Sequence, residues 1–169
     1  DSQANGLIES GVKSLEGLVR TLKHALELKL QKEVPVESAV FAWMVEHAAD
    51  LITKHHVGVD GQTAYQKLKG KPYSSETLDF ACRVHHRVPG KVQGGSLQWR
   101  WYEGTWLGSR FESTEQLIGM DDGKVVRAGA VIPFPEEDLW HPDRMLSIQG
   151  MPWSPTSTLR GVQSTYHSI

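Results

Sequence analysis

The chain has 169 residues, of which 39% are hydrophobic, and a formal net charge of -2 at pH 7. This length suits one domain or two small ones, and the hydrophobic content suffices for a core. The near-neutral charge argues against a protein that coats nucleic acid over its whole surface, so any such contact must come from local patches. The single cysteine, Cys82, excludes an internal disulfide and favours a reducing compartment or indifference to redox conditions. No apolar run approaches the roughly 20 residues of a membrane span, and no signal-peptide pattern is seen, so we expect a soluble, intracellular protein.

Near the start of the chain, apolar residues recur every three or four positions. This spacing predicts a helix over residues 6–32 with one buried face. Glu9 then lies in its first turn, where unpaired backbone amides and the helix dipole favour a carboxylate by about 0.3 to 1 kcal/mol without any function. The apolar positions are Ile8, Val12, Leu15, Leu18, Val19, Leu22, Ala25, Leu26 and Leu30.

A second helix is predicted after Val34-Pro35, because Pro35 suits a first helical turn and a broad apolar face follows it. The face consists of Val40, Phe41, Met44, Val45, Ala48, Leu51 and Ile52. Two such faces predict a helical hairpin over residues 1–58. Its apolar surface would need a covering partner.

The remainder of the chain changes from helical to strand periodicity. Residues 59–78 form a polar connector with a short helix at 64–68. Valine-rich and aromatic runs at 80–88, 97–106, 115–120 and 124–134, separated by turn signals, favour a small antiparallel barrel over residues 79–135. Prolines and serines from residue 136 to 169 predict an extended tail, with Trp140 and Trp153 as anchors. The predicted fold class is α+β.

Several motifs in order resemble the integrase of copia-type retroelements, a member of the DDE family with a ribonuclease-H-like fold. They cover about residues 1–135 and include Asn5-Gly6-Leu7-Ile8-Glu9, Asp60-Gly61-Gln62-Thr63-Ala64-Tyr65 with Gly70-Lys71-Pro72, Asp79-Phe80-Ala81-Cys82-Arg83-Val84 and Trp106-Leu107-Gly108. The resemblance implies the last helices of the catalytic core, followed by a Src-homology-3-like barrel.

The resemblance also implies a role for Glu9 as the third metal-binding carboxylate of the integrase. Two-metal catalysis needs several carboxylates around ions about 3.5 to 4 Å apart. The first two are expected on strands upstream of Asp1. We therefore expect Mg²⁺ or Mn²⁺ only in the complete enzyme and none bound to this chain, and whether the chain is an enzyme stays open.

A candidate DNA-binding surface lies between residues 83 and 110. Basic residues outnumber acidic ones five to one there, and tryptophans are interleaved with them. Arginines can contact phosphates and an exposed aromatic can stack on an unpaired base. Alternatively, the tryptophans fill the barrel core and the arginines solvate its outside. The candidates are Arg83, Arg87, Lys91, Arg100, Trp101 and Arg110.

On the first helix, Lys13, Arg20 and Lys23 occupy similar faces. The resemblance implies phosphate contacts for them, since the helix after the catalytic glutamate lies beside DNA in that family. Glu16 and Glu27 reduce the positive charge of this patch, and a solvated face with ion pairs is the favoured explanation.

Two functions therefore stand. The first is the C-terminal part of a retrotransposon integrase that contributes DNA binding and one catalytic carboxylate to strand transfer. Its partners would be DNA, other integrase subunits or the missing part of the core, in the nucleus or cytoplasm. The second is a domesticated scaffold subunit without catalysis, which docks on a larger complex through its exposed helical faces.

Overall fold

Four α-helices, one 3-10 helix and five β-strands account for the regular structure of the described residues 2–87, 101–110, 112–113 and 115–156 in a computed structural model. They confirm the α+β class. The helices are α1 (Ser2–Leu30), α2 (Ala39–His55), α3 (Ala64–Lys69) and α4 (Pro142–Leu146), and the 3-10 helix is Glu136–Asp138. The strands are β1 (Arg83–Arg87), β2 (Trp101–Ser109), β3 (Gln116–Gly119), β4 (Val125–Ala128) and β5 (Val131–Pro133).

Helix α1 is buried only along its C-terminal half. Val19, Leu26 and Leu30 are buried, whereas residues 2–14 are all exposed. Ser38 caps α2, since its hydroxyl accepts a hydrogen bond from the Phe41 amide at 3.3 Å. Neither α1 nor any other helix of the described residues has the length and apolar content that crossing a bilayer would require.

The five strands form one antiparallel sheet with the order β4-β3-β2-β1-β5. Helices and sheet share their largest apolar core, in which Leu26 and Met44 pack with Leu107 and Met145. A smaller cluster on the sheet contains Trp106, which is only 2% exposed. Trp106 therefore belongs to the core, which is the alternative to base stacking that the sequence left open for the tryptophans.

The prediction of an extended tail is wrong for residues 136–156, which contain the 3-10 helix and α4. Met145 and Ile148 are buried in the core shared by helices and sheet. The indole of Trp43 in α2 donates a hydrogen bond to the Gly150 carbonyl at 2.7 Å. The segment packs because these apolar side chains complete the core. Its prolines and serines led to the prediction of an extended tail. Residues 157–169 lie outside the described residues.

Candidate nucleic-acid interface

Three predicted site residues share one exposed face of α1. Glu9, Lys13 and Arg20 are all exposed, and their spacings of four and seven residues bring them onto the same side of the helix. Lys23 is half-buried and forms a salt bridge with Glu27, one turn further along α1. The face thus retains two cations beside Glu9, whereas Lys23 is neutralised within the helix.

A complete metal site does not form around Glu9 within the described residues. No three His, Cys, Asp or Glu side chains in these ranges are grouped closely enough to hold a metal ion. A single carboxylate cannot hold the two ions of the integrase reaction. Any metal chemistry at Glu9 would require further carboxylates from outside these ranges.

Arg83 does not lie on the surface, contrary to its predicted role as a phosphate contact. It is 2% exposed, and its guanidinium lies 3.3 Å from the Glu103 carboxylate and 3.4 Å from that of Asp121. Arg144 of α4 contacts the same two carboxylates at 2.8 and 3.5 Å. Burial lowers the pKa of Arg83, while the two carboxylates oppose that shift. Arg83 therefore joins β1 and β2 to α4 instead of facing a ligand.

Removing both carboxylates from this network is expected to destabilise the fold. The double substitution Glu103→Gln and Asp121→Asn leaves the buried Arg83 without an opposite charge. Because the carboxylates themselves are almost half exposed, the expected loss is about 2 kcal/mol, below the 3 to 5 kcal/mol typical of a fully buried broken pair. Urea denaturation measures this loss.

The matched control is Glu115→Gln, which breaks the exposed pair between Arg127 and Glu115. An exposed ion pair contributes about 0 to 1 kcal/mol, so this substitution should change little. Equal losses in the two variants would contradict the internal role of Arg83.

The remaining sheet candidates lie at two separate places. Arg87 is exposed at the end of β1, directly opposite the half-buried Trp101 at the start of β2. Arg110 is exposed just beyond the other end of β2, about 30 Å from Trp101 if the strand is fully extended. Lys91 and Arg100 lie outside the described residues. The predicted patch is therefore divided, with Arg87 and Trp101 at one end and Arg110 at the other.

Arg110 lines a groove of about 790 Å³ that lies between α2, strands β2 to β4 and residues 152–156. Charges of both signs line it, including Arg110 and Arg127 as well as Glu46 and Glu112. Trp153 stands at the same groove. The sequence marked Trp153 only as an anchor of a tail, because nothing local indicates that residues 152–156 return to β4.

A buried ion pair lies in the wall of this groove. The Lys54 ammonium contacts the Asp50 carboxylate at 2.5 Å and the Ser109 hydroxyl at 2.9 Å, and it lies 4.5 Å from the centre of the Tyr73 ring. Burial raises the pKa of Asp50, and the Lys54 contacts oppose this rise. The Asp50 carboxylate keeps Lys54 in its charged ammonium form. Lys54 therefore donates a hydrogen bond to Ser109 and cannot act as a base toward the Ser109 hydroxyl. The pair was missed in the sequence, although its spacing of four residues on a helix was a usable signal.

The candidate residues thus occupy three places: the Glu9 face of α1, the Arg87 end of the sheet and the groove at Arg110. Exposed cations are present at each of them. No protein-family model, no curated protein and no solved structure matches this chain.

Proposed function

We propose that this chain is the C-terminal part of a copia-type retroelement integrase and that it contributes DNA binding to strand transfer. The observation that carries the proposal is the order of its elements. A long helix bearing Glu9 is followed by α2, a polar connector and a five-stranded antiparallel sheet. The motifs that resemble the integrase occur in the same order along the chain.

The connection between β4 and β5 supports a barrel. These strands form the two opposite edges of the sheet, yet only Gly129 and Ala130 separate them. Three peptide units span at most about 11 Å, from Ala128 to Val131. In a flat sheet the outer strands would be about 19 Å apart. This short connection favours a curled sheet, which is the shape that the proposed Src-homology-3-like barrel requires.

The exposed half of α1 fits the helical part of the proposal. Leu7, Ile8 and Val12 are exposed and continue the apolar stripe that is buried further along α1 at Val19 and Leu26. In an integrase, this stripe would be covered by the rest of the ribonuclease-H-like core. The same arrangement would bring Glu9 to the two other carboxylates that hold Mg²⁺ or Mn²⁺ in the complete enzyme.

The DNA contacts of this proposal come from exposed cations on α1 and β1. We expect the chain to bind duplex DNA with an affinity that falls steeply as salt rises, because bound cations release counterions from the phosphates. The combined substitution of Lys13, Arg20 and Arg87 by Ala should flatten the plot of log affinity against log salt by about 0.9 for each phosphate that the variant no longer neutralises. Fluorescence anisotropy with a labelled duplex gives both values.

Lys32→Ala and Lys67→Ala are suitable controls for this measurement. Both lysines are solvent-exposed cations that already form salt bridges, with Asp143 and Asp60 respectively. Their loss should leave the salt dependence unchanged. Absence of duplex binding at low salt, or a triple variant with the slope of the unmodified chain, would reject the proposed DNA contacts.

The alternative is a scaffold subunit without DNA binding. The exposed Leu7, Ile8 and Val12 favour it, since an uncovered apolar helix face marks a protein interaction site. The duplex measurement separates the two functions, because the scaffold requires no affinity for phosphates.

A further inference from the structure

Trp153 stands in a hydrogen-bonded turn and is largely exposed to solvent. Its indole is 77% exposed, one of the largest exposed apolar side chains of the described residues. Met151 and Ser154 close a turn around it, with amide-to-carbonyl hydrogen bonds of 3.2 and 3.0 Å in the two directions. Pro152 directly precedes Trp153, and its ring limits the backbone freedom of the turn. Trp153 therefore stands at the tip of a tight turn.

Both ends of this turn are fixed to the body of the protein. The Val125 amide of β4 donates to the Pro155 carbonyl at 2.8 Å, and the Trp43 indole of α2 donates to the Gly150 carbonyl at 2.7 Å. Burial of this side chain would have stabilised the fold by about 25 cal/mol for each Å² of apolar surface removed from water. An exposed aromatic side chain on an anchored turn is available to stack on a ligand.

The groove below Trp153 has room for part of a nucleic-acid strand and carries two arginines. Its volume of about 790 Å³ falls within the roughly 300 to 1,000 Å³ of small-ligand sites. Arg110 and Arg127 lie along it. Arg127 contacts Glu115 at 3.4 Å in an exposed pair, which costs little to exchange for a phosphate.

We propose that Trp153 stacks on an unpaired base of single-stranded nucleic acid while Arg110 and Arg127 contact the adjoining phosphates. The inference rests on the proposed nucleic-acid function and assigns single strands to the groove. Duplex DNA cannot use this site, because its bases are already stacked on one another. An aromatic platform of this kind contributes about 1 to 3 kcal/mol per base and tolerates any sequence.

The carboxylates of the groove set the electrostatic character of this site. Glu46 and Glu112 balance the two arginines, and Asp50, the third carboxylate of the groove, is paired with Lys54, so stacking supplies most of the affinity. With two phosphate contacts, log affinity should fall with log salt at a slope of only about -1.4, since each contact to a single strand contributes about -0.7. This weak dependence distinguishes the groove from the duplex-binding cations of α1 and β1.

The test compares the unmodified chain with Trp153→Ala on labelled oligothymidylate, oligouridylate and a DNA duplex of the same length. We expect the variant to lose about 5- to 150-fold in affinity for the single strands, the equivalent of one stacked base, and to keep its affinity for the duplex. Trp153→Phe should restore most of the single-strand binding. Leu68→Ala, which truncates another exposed apolar side chain on α3, should have no effect.

The arms of this experiment separate the stacking site from the integrase assignment. Tighter binding of oligothymidylate or of oligouridylate identifies DNA or RNA as the ligand. Single-strand affinity that Trp153→Ala leaves unchanged, or an equal loss on single strands and duplex, overturns the stacking site while duplex binding still supports the integrase proposal. Single-strand binding that depends on Trp153 without any duplex binding would uphold the stacking site and reject the integrase assignment.

Discussion

Acidification from about pH 7.5 to about pH 5 is expected to lower the free energy of unfolding by about 4 kcal/mol. The cause is a pair of buried histidines, His47 and His86, which are 5% and 0% exposed. Burial lowers the pKa of each ring from 6.5 to about 4. The Lys54 ammonium adds to the shift at His47, whereas the backbone of Tyr102 partly opposes it at His86.

The sign follows from the protons bound in each state. Between pH 6.5 and about 4 the unfolded chain protonates both rings while the folded protein keeps them neutral. The stabilising contribution of each histidine is therefore fully present above its pKa in the unfolded chain. Below that pKa the free energy of unfolding falls by about 1.4 kcal/mol per histidine for each pH unit. The raised pKa of Asp50 works in the opposite direction and reduces the slope at the acidic end.

Urea denaturation across this pH range measures the effect, and NMR titration of the imidazole signals tests it without any substitution. His86→Met should roughly halve the pH dependence. The exposed His24 provides the control, since His24→Gln should not alter it. Imidazole signals that all titrate close to pH 6.5 would contradict the prediction.

Gly150→Ala is expected to destabilise the protein by about 3 to 5 kcal/mol, because overpacking and the loss of buried hydrogen bonds add together. A Cβ at this position would lie 1.9 Å from the Pro155 carbonyl oxygen and 2.7 Å from its carbon. These are backbone atoms, so residues 152–156 would have to move. That movement would break the bonds from Val125 to Pro155 and from Trp43 to Gly150.

Gly129→Ala is the matched control, since a Cβ there meets no atom within 4 Å. Thermal and urea unfolding should show a large loss for the Gly150 variant and almost none for the Gly129 variant. Gly150→Ala should also displace Trp153 and weaken single-strand binding in the folded fraction. A stable Gly150 variant would mean that residues 152–156 are not docked on β4 and α2.

Helices α1, α2 and α3 were predicted because their signals are local, whereas the 3-10 helix and α4 were not. The apolar spacing of α2 and the turn residues around α3 act over a few positions, and Thr63 and Gln66 form a capping box at the start of α3. Residues 124–134 were expected as one run. They form two strands, because the chain crosses at Gly129 and Ala130 from one edge of the sheet to the opposite edge.

The candidate site was predicted less well, since charge and residue type do not reveal burial. Arg83 and Arg87 are four residues apart and both basic, yet the first is enclosed by Glu103 and Asp121 and the second is exposed. The distinction depends on α4 and the turn after β3, which are distant in sequence. The same holds for Lys54, whose hydroxyl partner Ser109 is 55 residues away.

The α+β class, the two long helices and the short helix after residue 63 could be deduced from the sequence. Each of these depends on periodicity or capping within a few residues. The predicted place of Glu9 in a first turn is wrong, because α1 begins at Ser2 and Glu9 lies beyond its first turn. Long-range packing determined that residues 136–156 dock in the core, that Arg83 is internal, that His47 and His86 are buried, and that Trp153 stands above a groove. These features arise from contacts between distant segments, where burial and hydrogen bonding outweigh local preference.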